Sequence, residues 1–540
     1  MIILTKIDDI EAGIHSTCLL LALTFSVAVT PTKAFLPSGD AGYSHSSVTN
    51  CEEDLSGFAI PIHMATPSDT VTFTDVSVEA GFFGLQSSWC AAWGDYDGDG
   101  NIDVKTLGHV QRLTGSISQL WHNNGDGTFS DVTIAAGLNP NNGDAHGVVW
   151  ADFDNDADLD LFVSKGKGST NNNNDLWQNN GDGTFVNVAE TSGVTGRFHD
   201  RRGAYAVDHN RDSNLDIFDT SSLTPNLLFR NDGGLQFTDV AAEAGLTRDE
   251  IDNRTAAWAD YDGDGLTDVV IMQSCGLYKN LGDGTFLDTT AAAGIGPLEE
   301  GQAAAWGDYD NDGDPDLYIT TDAKQNQAVL YRNNGDGTFT DATLASGVIN
   351  ANSALGVTWA DYDNDGFLDL YIVNTEKGTT IPNRLFRNNG DGTFTDVALS
   401  AGVGAKPGIG RGSDASFIDY NNDGFLDLFV CNGAGSLNGP YLLFRNNGTS
   451  NAWLRVILKG VQSNANGFGA KLLLKAGGQK QSREYFGQHY MAQNCVSIHF
   501  GLGTETNVDV LTIFWPSGIR QTLRNLTVNQ TLTVTEASTP

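Results

Sequence analysis

Short apolar runs broken by clusters of Asp, Asn and Gly recur along most of this chain, always in the same order. A run such as GVTWAD at 356–361 leads into an acidic cluster, and a second run such as LDLYIV at 368–373 leaves it. After a variable stretch come two apolar segments around Asn-Asn-Gly-Asp-Gly, repeated from Leu120, Leu176, Leu330 and Leu385, with LYKNLGDGTFLDT from Leu277 and LLFRNDGGLQFTDV from Leu227. Runs of this length between Gly- and Asn-rich breaks predict β-strands, and Asn-Gly or Asp-Gly between them supplies the positive-φ residues of tight antiparallel turns. Four antiparallel strands per unit make a propeller blade.

The acidic cluster itself returns seven times, from Asp95, Asp152, Asp208, Asp260, Asp308, Asp361 and Asp419, at intervals of 48 to 58 residues. Such a period marks a repeat array. Six hairpins are complete, and two halves lie at the ends. The run from Phe73 to Val76 matches only the second half, and LLFRNNG from Leu442 only the first. The expectation is an all-β fold, a seven-bladed propeller whose N-terminal strand completes the last blade and removes two exposed edges. After Gly448 the pattern no longer repeats. AWLRVILKG, GAKLLLKAG, NCVSIHFGLG, VDVLTIFWPSG and NQTLTVTE predict a small all-β domain over 449–540, behind a propeller over 71–448.

Each cluster places side-chain oxygens at positions 1, 3, 5 and 9, the spacing with which one loop wraps a hard cation, and a carbonyl at position 7 adds to the set. The candidate ligands are Asp95, Asp97, Asp99 and Asp103 in loop 1 and Asp152, Asp154, Asp156 and Asp160 in loop 2. Loop 3 offers Asp208, Asn210, Asp212 and Asp216, and loop 4 Asp260, Asp262, Asp264 and Asp268. Loop 5 offers Asp308, Asp310, Asp312 and Asp316, and loop 6 Asp361, Asp363, Asp365 and Asp369. Loop 7 offers Asp419, Asn421, Asp423 and Asp427. Ca²⁺ is the expected ion, up to seven per chain, because Mg²⁺ keeps its waters and a stricter octahedron. Gly at position 6 allows the sharp turn. Ala157 and Ser213 stand there in loops 2 and 3, and Arg211 brings a competing charge, so loops 1, 4, 5 and 6 are expected to bind best, 2 and 7 less well and loop 3 least. The lone Asp of each hairpin, such as Asp126 or Asp336, reads as turn chemistry.

Charge sharpens this picture. The chain carries 67 Asp and Glu against 30 Lys and Arg, a net charge of −37, which argues against binding the phosphates of nucleic acid or an anionic membrane. The loops hold 28 of those Asp, so seven divalent ions would bring the charge to −23. In an up-and-down blade the acidic loops and the hairpins share one face and the variable turns the other. Of 20 Lys and Arg between 71 and 448, 13 fall in or beside those variable turns. A polar cluster at the channel mouth, His146, Arg197, His199, Arg201, Arg202, Arg254 and Arg411, is the candidate ligand face. His489 and His499 read as hydrogen-bonded fold residues.

The stretch CLLLALTFSVAV at 18–29 is too short to span a bilayer and suits a signal-peptide core, so 1–34 is a candidate signal peptide and 35–70 a linker. No later stretch reaches transmembrane length. The six Cys lack CxxC spacing and predict isolated thiols. No nucleophile elbow, HExxH, P-loop or Rossmann fingerprint appears, which favours binding over catalysis.

The repeats resemble FG-GAP/VCBS-type units, the calcium-loop blades also found in integrin α-subunit propellers. The tail, with NANGFGA at 464–470, HFGLG at 499–503 and WPSG at 515–518, resembles the ASPIC/UnbV domain. That domain order resembles bacterial-type members of the cartilage acidic protein family. Loop 3 departs from the pattern, as does VKTLGHVQRL after Asp103, where a run of the LDLYIV type is expected. The resemblance implies a secreted, calcium-stabilised propeller, extracellular or periplasmic and monomeric, that recognises a protein or glycan on the face away from its ions. The alternative is an enzyme or accessory protein of enediyne-type secondary-metabolite biosynthesis that uses the channel mouth.

Overall fold

The structure, a computed structural model, describes residues 71–82, 88–108, 118–140, 144–166, 173–196, 201–247, 253–272, 275–296, 298, 300–322, 327–375, 381–404, 412–433 and 439–538. The candidate signal peptide and linker lie outside them, as do Arg197, His199 and Arg411. Among the described residues seven sheets repeat one four-stranded antiparallel unit. Blade 1 is Ser88–Gly94, Asp103–Gly108, Gln119–Asn123 and Phe129–Asp131, paired in that order. Its first strand lies innermost and is buried throughout, because small and apolar side chains (SWCAAWG) face neighbours on both sides. The irregular run after Asp103 still forms a strand paired on both edges. Lys105 occupies there the place that Phe162 holds in blade 2. It lies mid-strand, fully buried, its Nζ without a hydrogen bond. Burial pushes that amine down to about 7, against the pull of Asp175 and Asp131.

Closure follows the two half hairpins. Phe73–Asp75 pairs antiparallel with Tyr441–Asn446, with Phe73 opposite Asn446, as the fourth strand of the sheet that contains Asp414–Ile418 and Asp427–Cys431. Neighbouring blades are tied by indoles. Trp150, Trp306 and Trp359 each donate from Nε1 to a carbonyl of the preceding inner strand, Ala92, Ala257 and Ala305.

The tail forms two further sheets. One sets Ala452–Lys459 between Ile498–Gly503 and, in parallel, Gln530–Thr535; the other runs Gln479–Glu484, Lys471–Ala476, Asn507–Phe514, Arg520–Thr527. Leu454, Leu472, Phe500, Ile513 and Trp515 are buried between them. Two strands, Gln479–Glu484 and Arg520–Thr527, were not expected from the sequence. A third surprise is a small hairpin, Gln488–His489 with Ala492–Gln493, that extends the sheet of blade 2. It runs parallel to the inner strand Ala145–Ala151 with Ala492 opposite Val148, and so occupies the ring's channel. Met491 and Ala492 are fully buried there. Cys90, Cys275, Cys431 and Cys495 are free thiols.

Candidate metal centres and the covered face

Every acidic loop is built on the same two carboxylates. The position-1 Asp accepts the backbone N–H of position 6 in all seven loops, from Gly100 to Asp95 (3.0 Å), through Ala157 to Asp152 (2.8 Å) and Ser213 to Asp208 (3.0 Å), to Gly424 and Asp419 (2.8 Å). That bond closes a turn with positive φ at positions 4 and 6. Gly or Asn stands at position 4 in six loops, and Arg211 in loop 3; at position 6, Ala157 (φ 79°) and Ser213 (φ 73°) adopt what Gly adopts elsewhere. Loop 3 therefore carries two residues against their preference, each costing about 1–2 kcal/mol.

The position-9 Asp is the buried hub. In every blade it accepts the backbone N–H of the hairpin's first Asn, 2.8 Å from Asn123 to Asp103 and 2.7 Å from Asn446 to Asp427, and thereby ties hairpin to loop. The amide of that Asn does more. Asn333 Nδ2 donates to Pro315 O in its own blade and to Tyr261 O in the blade before, while its Oδ1 accepts the N–H of Gly335. The same inter-blade bond is made by Asn123, Asn179, Asn231, Asn280, Asn388 and Asn446. These Asn were not singled out from the sequence; the signal was their presence in all seven hairpins, the incomplete one included. Asp126, Asp182, Asp283, Asp336 and Asp391 do serve the turn, each accepting the N–H and hydroxyl of the Thr two residues on.

Positions 1, 3 and 9 converge. In loops 2, 4 and 5 one oxygen from each (Asp152, Asp154, Asp160; Asp260, Asp262, Asp268; Asp308, Asp310, Asp316) lies within 4.8 Å of the others. Asp154 Oδ1, Asp260 Oδ1, Asp262 Oδ1, Asp308 Oδ1, Asp363 Oδ1 and Asp427 Oδ2 are buried without a hydrogen bond. Converging acceptors of this kind could hold a hard divalent cation. Burial first, and then repulsion among the loop carboxylates, pushes Asp103 and Asp160 up to about 8 and Asp268 to about 9, although backbone donors oppose it.

In loops 2, 4 and 5 the hairpin strand reaches over the loop. Lys279 pairs with Asp262 and Asp264, Arg332 with Asp310 (2.7 Å) and Asp312 (2.9 Å), and Gln178 donates to Asp154 (2.8 Å). Loops 4 and 5, expected among the strongest, thus carry a tethered cation over positions 3 and 5.

The tail sits on this acidic face. Asn466 accepts the N–H of Asp152, Ser213 donates to Gln462 O, Arg211 to Pro516 O, and Glu484 accepts the N–H of Asp260. Gly501 N donates to Asp361 Oδ2 (3.0 Å), His499 Nε2 lies 2.6 Å from Asn364 Oδ1, and Arg455 pairs with Asp419 (2.7 Å). Loop 6 is buried beneath it as a result, whereas Asp97 and Asp99 of loop 1 are exposed. Between loops 1, 2 and 7 and the tail a cavity of about 700 Å³ remains, lined by Asp95, Asp152, Asp419, Trp453 and Arg455.

The channel cluster is less open than expected. His146 is fully buried, its Nδ1 2.8 Å from Arg201 O and its Nε2 3.0 Å from Arg202 Nη1. Arg201 is buried too, donating to Pro225 O beside Asp219. Arg202 and Arg254 are half-buried and face Tyr490 at the tip of the tail hairpin, whose carbonyl accepts the Tyr205 hydroxyl. The plug hairpin explains this: it fills the space that the cluster was expected to border. His489 is likewise a fold residue, bonded to Asp414 (2.9 Å) and Asn494 (3.1 Å).

Comparison with known families meets this geometry at both ends of the chain. A model described as FG-GAP-like repeat matches 111–163, 273–319, 308–372 and 371–430, and one described as ASPIC and UnbV matches 460–540. The chain carries FG-GAP-like repeats and an ASPIC and UnbV domain. It is homologous to cartilage acidic protein 1, being 28% identical over 339 residues to the mouse protein (62% of this chain, 44% of that one) and 28% over 361 residues to the human protein (66% and 46%). The chain thus spans less than half the length of these curated relatives. Among solved structures, the Dos1 propeller is similar at a TM-score of 0.39 and 8% identity, over 70% of this chain and 96% of that one.

Proposed function

We propose that the protein is an extracellular, calcium-stabilised binding scaffold. Calcium in the acidic loops holds hairpin to loop and blade to blade, and the face turned away from the tail recognises a protein or glycan. The observation that carries this is the set of buried, unpartnered carboxylate oxygens converging in the loops, which a bound divalent cation would satisfy. The name of the cartilage relatives supports an extracellular setting, and among the described residues no helix is long and apolar enough to cross a membrane. The enzymatic alternative has less support, since the tail hairpin occupies the channel it would need. Calcium bound would supply charge neutralisation; the chain's own residues supply the cage, position-1 Asp closing the turn and position-9 Asp anchoring the hairpin. Stripping the protein with a calcium chelator is expected to lower its unfolding midpoint and to open the blades to protease. An unchanged midpoint and unchanged cleavage would refute the proposal.

A further inference from the structure

Loop 1 differs from the other six in one respect that its own acidic residues do not show. The hairpin position that carries Gln178, Lys279 and Arg332 over loops 2, 4 and 5 carries His122 in blade 1, the one metal-ligating side chain among them. We propose that loop 1 is a mixed nitrogen and oxygen site for a first-row transition-metal ion of the Zn²⁺ and Co²⁺ class, held by His122 Nδ1 with the carboxylates of Asp97 and Asp103.

His122 Nδ1 lies 3.2 Å from Asp97 Oδ2 and 3.3 Å from Asp103 Oδ1, and the three ligand atoms lie within 4.8 Å of one another. The ring nitrogen is buried, yet its alignment makes a hydrogen bond to neither oxygen. Three such groups converging repel one another unless a proton or a cation lies between them. The groups are also held in place from behind: Asp103 is fully buried and accepts the N–H of both Tyr96 and Asn123, and the Tyr96 ring stands edge-on to the imidazole at 6.4 Å. No hydrogen bond joins the tail to loop 1 among the described residues, and exposed Asp97 and Asp99 leave the ion a way in. Imidazole favours late first-row ions, whereas Ca²⁺ takes six to eight oxygens and gains little from a nitrogen.

The inference rests on the reading of the loops as cation sites. Its test uses the full chain, stripped with chelator and returned to saturating Ca²⁺, then titrated with Co²⁺ while its visible absorption is followed. One Co²⁺ per chain is expected to bind with Ca²⁺ present and to be displaced by Zn²⁺. His122→Gln, which installs the residue of blade 2, is expected to weaken Co²⁺ by more than about tenfold while leaving Ca²⁺ uptake at the other loops and the unfolding midpoint unchanged. Equal Co²⁺ affinity in the two proteins, or none in the unsubstituted one, would overturn the proposal and leave His122 as a tethered side chain over its loop, as Lys279 is over loop 4. Absence of Ca²⁺ uptake by every loop would instead count against the calcium scaffold, and the Co²⁺ titration would still judge His122.

Discussion

In each blade one asparagine joins three pieces of backbone that the chain brings from different places. Asn333 is buried, and its amide bonds a carbonyl of its own blade, a carbonyl of the preceding blade and a turn N–H. Removing it leaves two buried carbonyls unpartnered, so Asn333→Ala is expected to cost about 2–4 kcal/mol. The exposed Asn334→Ala is expected to cost well under that, a contrast that urea unfolding of the two variants measures directly. The residue was visible in the sequence but its role was not, because Asn-Asn-Gly-Asp-Gly already has a sufficient explanation as a turn. Lys105 was hidden for the opposite reason. A charged residue reads as solvent-facing, and only the pairing of Asp103–Gly108 on both edges buries it.

At the scale of the loop, spacing carried nearly all the information. Positions 1, 3, 5 and 9 were legible because ligand geometry depends on side chains of the same loop, and closure by Phe73–Asp75 was legible because half a motif stood at each end. What the spacing did not show is the hairpin side chain above loops such as loop 4, since Lys279 lies 17 residues from Asp262 in the chain. Burial raises the loop carboxylates, to about 8 for Asp160, about 7 for Asp308 and about 6 for Asp419, above the ordinary value near 4. A raised folded-state value means that, without metal, the native state holds more protons than the unfolded chain between those limits. The chelated protein should therefore gain stability as pH falls from about 8 toward 4. The calcium-loaded protein should change the other way, because protons compete with the ion for the same oxygens. Unfolding midpoints taken with calcium and with chelator are expected to diverge as pH rises from 5.5 to 8; parallel curves would show that these carboxylates bind no ion.

For the whole molecule, the decisive feature is the tail laid over the acidic face with its hairpin in the channel. This was not legible. The run from Gln488 to Gln493 is short and without alternation, and its partners, Val148 and Val149, lie more than 300 residues away. Contacts from the tail reach loops 2, 3, 4, 6 and 7, so ring and tail should behave as one body even when the chain between them is cut. A protease site placed in the connection at 448–451 is expected to give two fragments that co-elute with calcium and separate with chelator. Separation in both conditions would mean that the docking is weak. Whether the loops hold calcium is tested most directly by equilibrium dialysis of the chelated full chain against radioactive Ca²⁺. Several ions per chain, up to one for each of loops 2 to 7, are expected, with a rise in the unfolding midpoint as they fill. No bound calcium at millimolar free ion would contradict the account.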